Sequence, residues 1–102
     1  MAPRPLHLLL GARADRPDVA ALLAAARATG RPLRTLLTHE ALDALDAPAL
    51  ADRPALGLSL CTRSARARGL TLEAVGEGVR WSSVATWHLE AGTEAEIWSA
   101  LP

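Results

Sequence analysis

Three short apolar runs separated by helix-like stretches constrain this chain more than any other feature: Leu6-His7-Leu8-Leu9-Leu10, Leu33-Arg34-Thr35-Leu36-Leu37-Thr38, and Ala55 to Leu60. Each is shorter than a buried helix and lies beside Pro or Gly, the pattern of strands covered on both faces. Between the first two, Pro17 to Thr29 opens with Pro17-Asp18, places Val19, Leu22, Leu23 and Ala26 on one face, and stops at Gly30, which predicts a helix. Glu40 to Leu45 reads as a helical turn before the Asp46-Ala47-Pro48 break, and Pro48 to Pro54 as an irregular surface connection. After the third run, Thr62 or Ser64 can cap a short helix ended by Gly69, and Thr71 to Val75 makes a turn closed by Gly76. Val79-Arg80-Trp81 reads as a brief strand, Ser82 to Ala91 as a helix capped by Ser82 or Ser83, and Ala95 to Trp98 as a last strand. This alternation predicts one α/β domain over residues 1–102, a three-layer α/β/α arrangement on a mainly parallel open sheet of about five strands joined by right-handed crossovers.

With 102 residues the chain can build one core, and a domain of this size gains from burying surface against other subunits. Its single cysteine cannot form an intrachain disulfide, no signal-peptide pattern opens the chain, and Leu6 to Ala12 is too short to span a bilayer. A cytoplasmic protein with no membrane partner is expected. Acids and bases are interspersed and the net charge is zero, which argues against direct nucleic-acid binding. Every basic residue is Arg, which excludes Schiff-base lysine chemistry and a phosphate loop ending in Gly-Lys-Ser/Thr. One Cys and three dispersed His residues show no zinc-site spacing, so neither a metal nor a cofactor is expected. Phe and Tyr are absent, leaving Leu, Val and Ala to form the core with Trp81, Trp87 and Trp98 as aromatic anchors.

In an open parallel sheet, sites gather outside the carboxyl ends of strands. That rule brings Gly11 to Arg16, Thr38-His39-Glu40 and Cys61-Thr62-Arg63 to one rim. Cys61 closes an apolar strand just where an Arg-rich helix begins. The helix start, with Arg63 and Arg66, can draw a thiol pKa below its free value of roughly 8.5 and make a sulfur nucleophile. A cysteine closing such a strand is also often a small core hydrophobe without chemistry, so both readings stand at this stage. His39, on the same rim, can donate or accept a proton or simply cap a turn. His88, beside Trp87, has no visible chemical partner.

Two segments resemble the DsrE/DsrF/TusD family of small sulfur-relay proteins. The first is Leu58-Ser59-Leu60-Cys61-Thr62-Arg63-Ser64-Ala65-Arg66-Ala67-Arg68-Gly69-Leu70, similar to that family's strand, cysteine, small-residue turn, Arg-rich helix and closing Arg-Gly-aliphatic step. The second is Leu33 to Leu42, similar to its second strand and following turn, although Ala41 stands where the family commonly has glycine. The connection from Leu42 to Pro54 is short, and Trp87-His88 replaces the more usual small and aliphatic residues. The resemblance implies a DsrEFH-like fold and a sulfurtransferase-like persulfide carrier. In that reading Cys61 accepts sulfane sulfur, Thr62, Arg63 and Arg66 stabilise the thiolate or persulfide, and His39 assists. Donor and acceptor proteins would be the partners, with a homo-oligomer (trimer or hexamer) or a hetero-oligomer of related subunits. The rival function is a noncatalytic assembly or small-ligand-binding subunit with a buried structural cysteine. A Cys-dependent phosphatase fits poorly, because Ala67 is the sixth residue after Cys61, Arg66 comes one position early, and no Gly lies inside the loop.

Overall fold

The computed structural model describes residues 3–102. Five strands, β1 (Leu6–Leu10), β2 (Leu33–Leu37), β3 (Leu58–Cys61), β4 (Arg80–Ser82) and β5 (Glu96–Ala100), form one open sheet in the order β4-β3-β2-β1-β5. Every pair is parallel. The helices are α1 (Pro17–Ala28), α2 (Arg53–Leu56), α3 (Thr62–Ala67), α4 (Leu72–Val75) and α5 (Val84–Ala91), with 3-10 turns at His39–Ala44 and Pro48–Leu50.

Because side chains alternate across a strand, the two faces of the sheet carry different residues. On the first face Leu6, Leu8, Leu10, Leu33, Leu37, Leu58 and Leu60 join Val19, Leu23 and Ala26 of α1, Leu56 of α2, Ala65 of α3 and Val75 of α4 in the main core. Leu8 is paired with Trp98 and Leu60 with Trp81, so two of the three tryptophans pack from the sheet onto this core. The second face carries His7, Leu9, Arg34, Leu36, Ser59, Cys61 and Arg80, and its small core is Leu36, Cys61 and Trp87, with Leu9 packed against them. Trp87 is the only buried residue of α5. The architecture is therefore three-layered, with one layer reduced to a single helix.

Topology explains this asymmetry. From β1 to β4 the chain steps one strand at a time in one direction, with its connections on the first face. From β4 it returns past the whole sheet to pair β5 with β1, and a parallel crossover of fixed hand travelling in the opposite direction must run over the other face.

Local chemistry moves several boundaries from their expected places. The stretch expected to be irregular before β3 contains a 3-10 turn and α2. Asp52 occupies the α2 N-cap and accepts from the Ala55 N–H at 3.5 Å, and Gly57 follows in the left-handed region at φ 56°. Ala55 and Leu56 are thus helical, and β3 begins only at Leu58. At the end of α3, the Leu70 N–H donates to Ala65 O and the Gly69 N–H to Arg66 O, with Gly69 at φ 67°, a Schellman closure. Thr71 caps α4 and Ser83 caps α5 through side-chain oxygens that accept from the Ala74 and Thr86 N–H groups.

Candidate functional site

Cys61 is the last residue of β3 and the N-cap of α3, which sets its backbone on the carboxyl rim. Its side chain faces α5 and packs with Leu36 and Trp87, leaving the residue 7% exposed. Register pairs it with Ser82 at the end of β4, so the sulfur lies where two helices begin, α3 directly after it and α5 two residues beyond Ser82.

Burial alone pushes the Cys61 thiol pKa up. Opposing it are the Ser64 N–H, the Ser64 hydroxyl and the N–H groups of Arg63 and Val84, and together they hold the thiol below its ordinary value. Hydrogen-bond donors thus tune this sulfur, and the guanidinium charges of Arg63 and Arg66 are not among the groups that lower it. Both arginines are exposed. Arg68 instead pairs with Asp43 at 2.8 Å, tying α3 to the turn after β2.

Ser64 connects the thiol to the second rim segment. Its buried Oγ accepts the His39 N–H at 3.1 Å, which leaves the hydroxyl proton to favour the sulfur anion. His39 adopts φ 49°, the one positive φ at a non-glycine residue among those described. A β-carbon in that region costs about 1–2 kcal/mol. The bond to Ser64 and a 2.9 Å contact between His39 Nδ1 and Thr38 Oγ1 hold the turn in place. His39 thereby reaches the thiol through its backbone and Ser64, while its imidazole is engaged with Thr38. Thr62 does not cap α3: as the first helical residue it donates its hydroxyl to Ser82 O at 2.8 Å, binding the start of α3 to the end of β4.

The third expected segment lies farther along the rim. The Gly11 N–H donates to Ala100 O and the Thr38 N–H to Leu10 O, which closes the ends of β5, β1 and β2 side by side. Arg13 and Arg16 pair with Asp15 and Asp18 rather than turning toward the sulfur. Sequence reasoning brought Cys61 and His39 together and missed Ser64 as their link and Val84 as a donor. The Ser82-Ser83 pair, an evident helix start, was the available signal for Val84; the β3–β4 register that carries it to Cys61 was not.

A cleft lies away from the thiol. It lies at the amino ends of β1, β2 and β3, between α5 and α2, has a volume of ≈ 510 Å³, and shares only Trp87 with the sulfur's packing cluster. Among the described residues no group of three His, Cys, Asp or Glu side chains is placed to hold a metal ion, and no helix is long and apolar enough to cross a membrane. No family model, curated protein or solved structure matches this chain.

Proposed function

We propose that the chain is a sulfur-relay protein of the DsrE/DsrF/TusD kind, in which Cys61 carries sulfane sulfur as a persulfide. The observation that carries this reading is the thiol of Cys61, the one cysteine in the chain, held below its ordinary pKa by donors from α3 and α5 at the carboxyl rim. Sulfur exchange needs a thiolate nucleophile whose pKa is near ambient pH. In the loading step the Cys61 thiolate attacks the outer sulfur of a donor persulfide. One S–S bond forms, the donor S–S bond breaks, and the donor leaves as a thiolate. In the unloading step an acceptor thiolate attacks the outer sulfur on Cys61, which is released as thiolate. Neither step consumes an oxidant or a reductant. The Ser64 hydroxyl and the amides that favour the thiolate favour the persulfide anion for the same reason. Arg63 and Arg66, exposed beside the rim, suit docking of donor and acceptor proteins, and His39 suits proton exchange at its edge.

Incubation with a persulfidated donor protein should add one sulfur atom to the wild type, removable by reductant, and none to Cys61→Ser. Equal loading of both proteins, or of neither, sinks the relay. Light scattering on the same material tests the trimeric or hexameric assembly proposed with it, and fractionation of cells tests the cytoplasmic location.

A second reading has its own observation. The 7% exposure of Cys61 against Leu36 and Trp87 suits a noncatalytic assembly or ligand-binding subunit in which the cysteine only packs. A thiol that reacts with a small reagent only after denaturation would favour that reading.

A further inference from the structure

The face of the sheet opposite the main core carries polar residues that the thiol does not use. In register, His7 lies beside Arg34 and Ser59 beside Arg80, two adjoining pairs on a face that parallel sheets ordinarily fill with aliphatic side chains. These four residues line the ≈ 510 Å³ cleft, together with Trp87 and Glu90 of α5. Pockets of this size take small organic ligands.

Two deeply buried rings back the cleft. His7 and Trp87 are each 5% exposed, and neither His7 Nδ1 nor Trp87 Nε1 meets a hydrogen-bond partner among the described residues. Their rings meet edge to face at 5.6 Å, which fixes both orientations. The charges around them are unequal. Arg53 is committed to Val75 O and Glu77 O at 2.6 and 3.0 Å. Arg80 meets Glu90 only loosely at 3.6 Å. Arg34 lines the cleft with no ion pair or hydrogen bond among the described residues, beside an imidazole that burial and the charges of Arg34 and Arg31 keep neutral. A metal ion is a poor occupant of such a cationic site. An oxyanion is a good one, because the Arg34 guanidinium can grip it in a fork. The rest of the lining, including Pro32, Pro54 and Ala91, is apolar and suits a hydrocarbon body.

We propose that this cleft binds a small organic oxyanion, a carboxylate or phosphate head on an apolar body, with the head on Arg34 and the body against α5 and the prolines. The proposal rests on the cleft alone and stands or falls separately from sulfur transfer at Cys61. Benzoate and phenyl phosphate, which separate the two head groups, should be titrated into the full chain and followed by calorimetry and by the amide and indole N–H resonances. Benzyl alcohol serves as the uncharged body and inorganic phosphate as the bare head. At least one of the two aromatic anions should bind saturably, shift the Trp87 indole signal, and bind about tenfold more tightly than either control. Arg34→Gln, confirmed folded by its amide spectrum, should weaken that binding by about tenfold, whereas Arg4→Gln, outside the cleft, should leave it unchanged. Binding of benzyl alcohol or inorganic phosphate as tight as that of the anions, no saturable binding at millimolar concentration, shifts that map elsewhere, or unaltered binding by folded Arg34→Gln would each overturn the proposal.

Discussion

Ser64 gives the clearest separation of causes around the sulfur. Its N–H and hydroxyl both lower the Cys61 pKa, and its Oγ also accepts the His39 N–H, so one side chain sets both the electrostatics and the geometry of the turn. Alkylation of native Cys61 by a small reagent should have its half-rate point at a lower pH than a free thiol shows. Ser64→Ala should move that point upward, and Arg63→Ala should move it less, because the lowering comes from donors rather than from the guanidinium. A larger shift for Arg63→Ala would return the tuning to charge. A second pH effect belongs to His7, whose pKa is lowered from 6.5 first by burial and then by Arg34 and Arg31. Well above pH 6.5 both folded and unfolded chains hold His7 neutral, and stability is at its full value. As pH falls below 6.5 the unfolded chain takes up the proton first, so stability declines until the folded-state pKa is passed. Urea midpoints measured downward from neutrality should drop for the wild type and drop less for His7→Leu. The sequence made Cys61 legible through its place at a strand–helix joint, and His39 through the rim rule. Ser64 was not legible, because its role depends on a turn 25 residues away folding back over α3.

Elements followed their local signals closely wherever one signal acted alone. Pro17 and Gly30 bracket α1 and Ser83 opens α5, as their sequence chemistry predicts. Ser83→Ala should cost about 1 kcal/mol in thermal unfolding, since it removes the acceptor for the Thr86 N–H. Where two signals overlapped, the apolar pattern misled. Ala55 and Leu56 look like the start of a strand, but the Asp52 cap, Pro54 in the first turn and Gly57 in the left-handed region make them the end of α2. Gly57 is indispensable for a second reason. A Cβ there would lie 2.3 Å from Leu33 O, against the backbone of β2. Gly57→Ala should therefore lose at least about 2 kcal/mol by denaturant titration, more than the 1–2 kcal/mol of the backbone conformation alone. A loss under 1 kcal/mol would mean that the β2–β3 edge shifts freely. The last strand was read short, from Ala95 to Trp98. Its length is set instead by pairing with all five residues of β1, from Leu6 with Glu96 to Leu10 with Ala100, and no local pattern encodes that partner.

At the scale of the whole molecule, the reversal of direction after β4 leaves one helix to cover one face of the sheet while four contribute to the core on the other. Composition announced an α/β core of Leu and Ala, but not this inequality, because polar residues such as Arg34, Ser59 and Arg80 on strands do not reveal which face they share. Trp87 anchors the thin layer: it is 5% exposed, while Leu89 on the same helix is 83% exposed. It also stands between the thiol, which it packs against, and His7, which it meets edge to face. Trp87→Ala should cost about 3–5 kcal/mol, the usual range for deleting a buried tryptophan. Its consequence for Cys61 separates two routes of access. If the sulfur is reached beneath α5, native alkylation of Cys61 in Trp87→Ala should speed up well beyond what the loss of global stability accounts for, and Trp87→Leu, which refills part of the space, should reverse most of that gain. If the sulfur is reached from the rim past His39 and Thr62, the native rate should stay near that of the wild type under conditions where Trp87→Ala remains folded. The packing of Trp87 in the same buried cluster as Cys61 makes the first outcome the expected one, so the helix that shields the cysteine is also the element that must move to expose it.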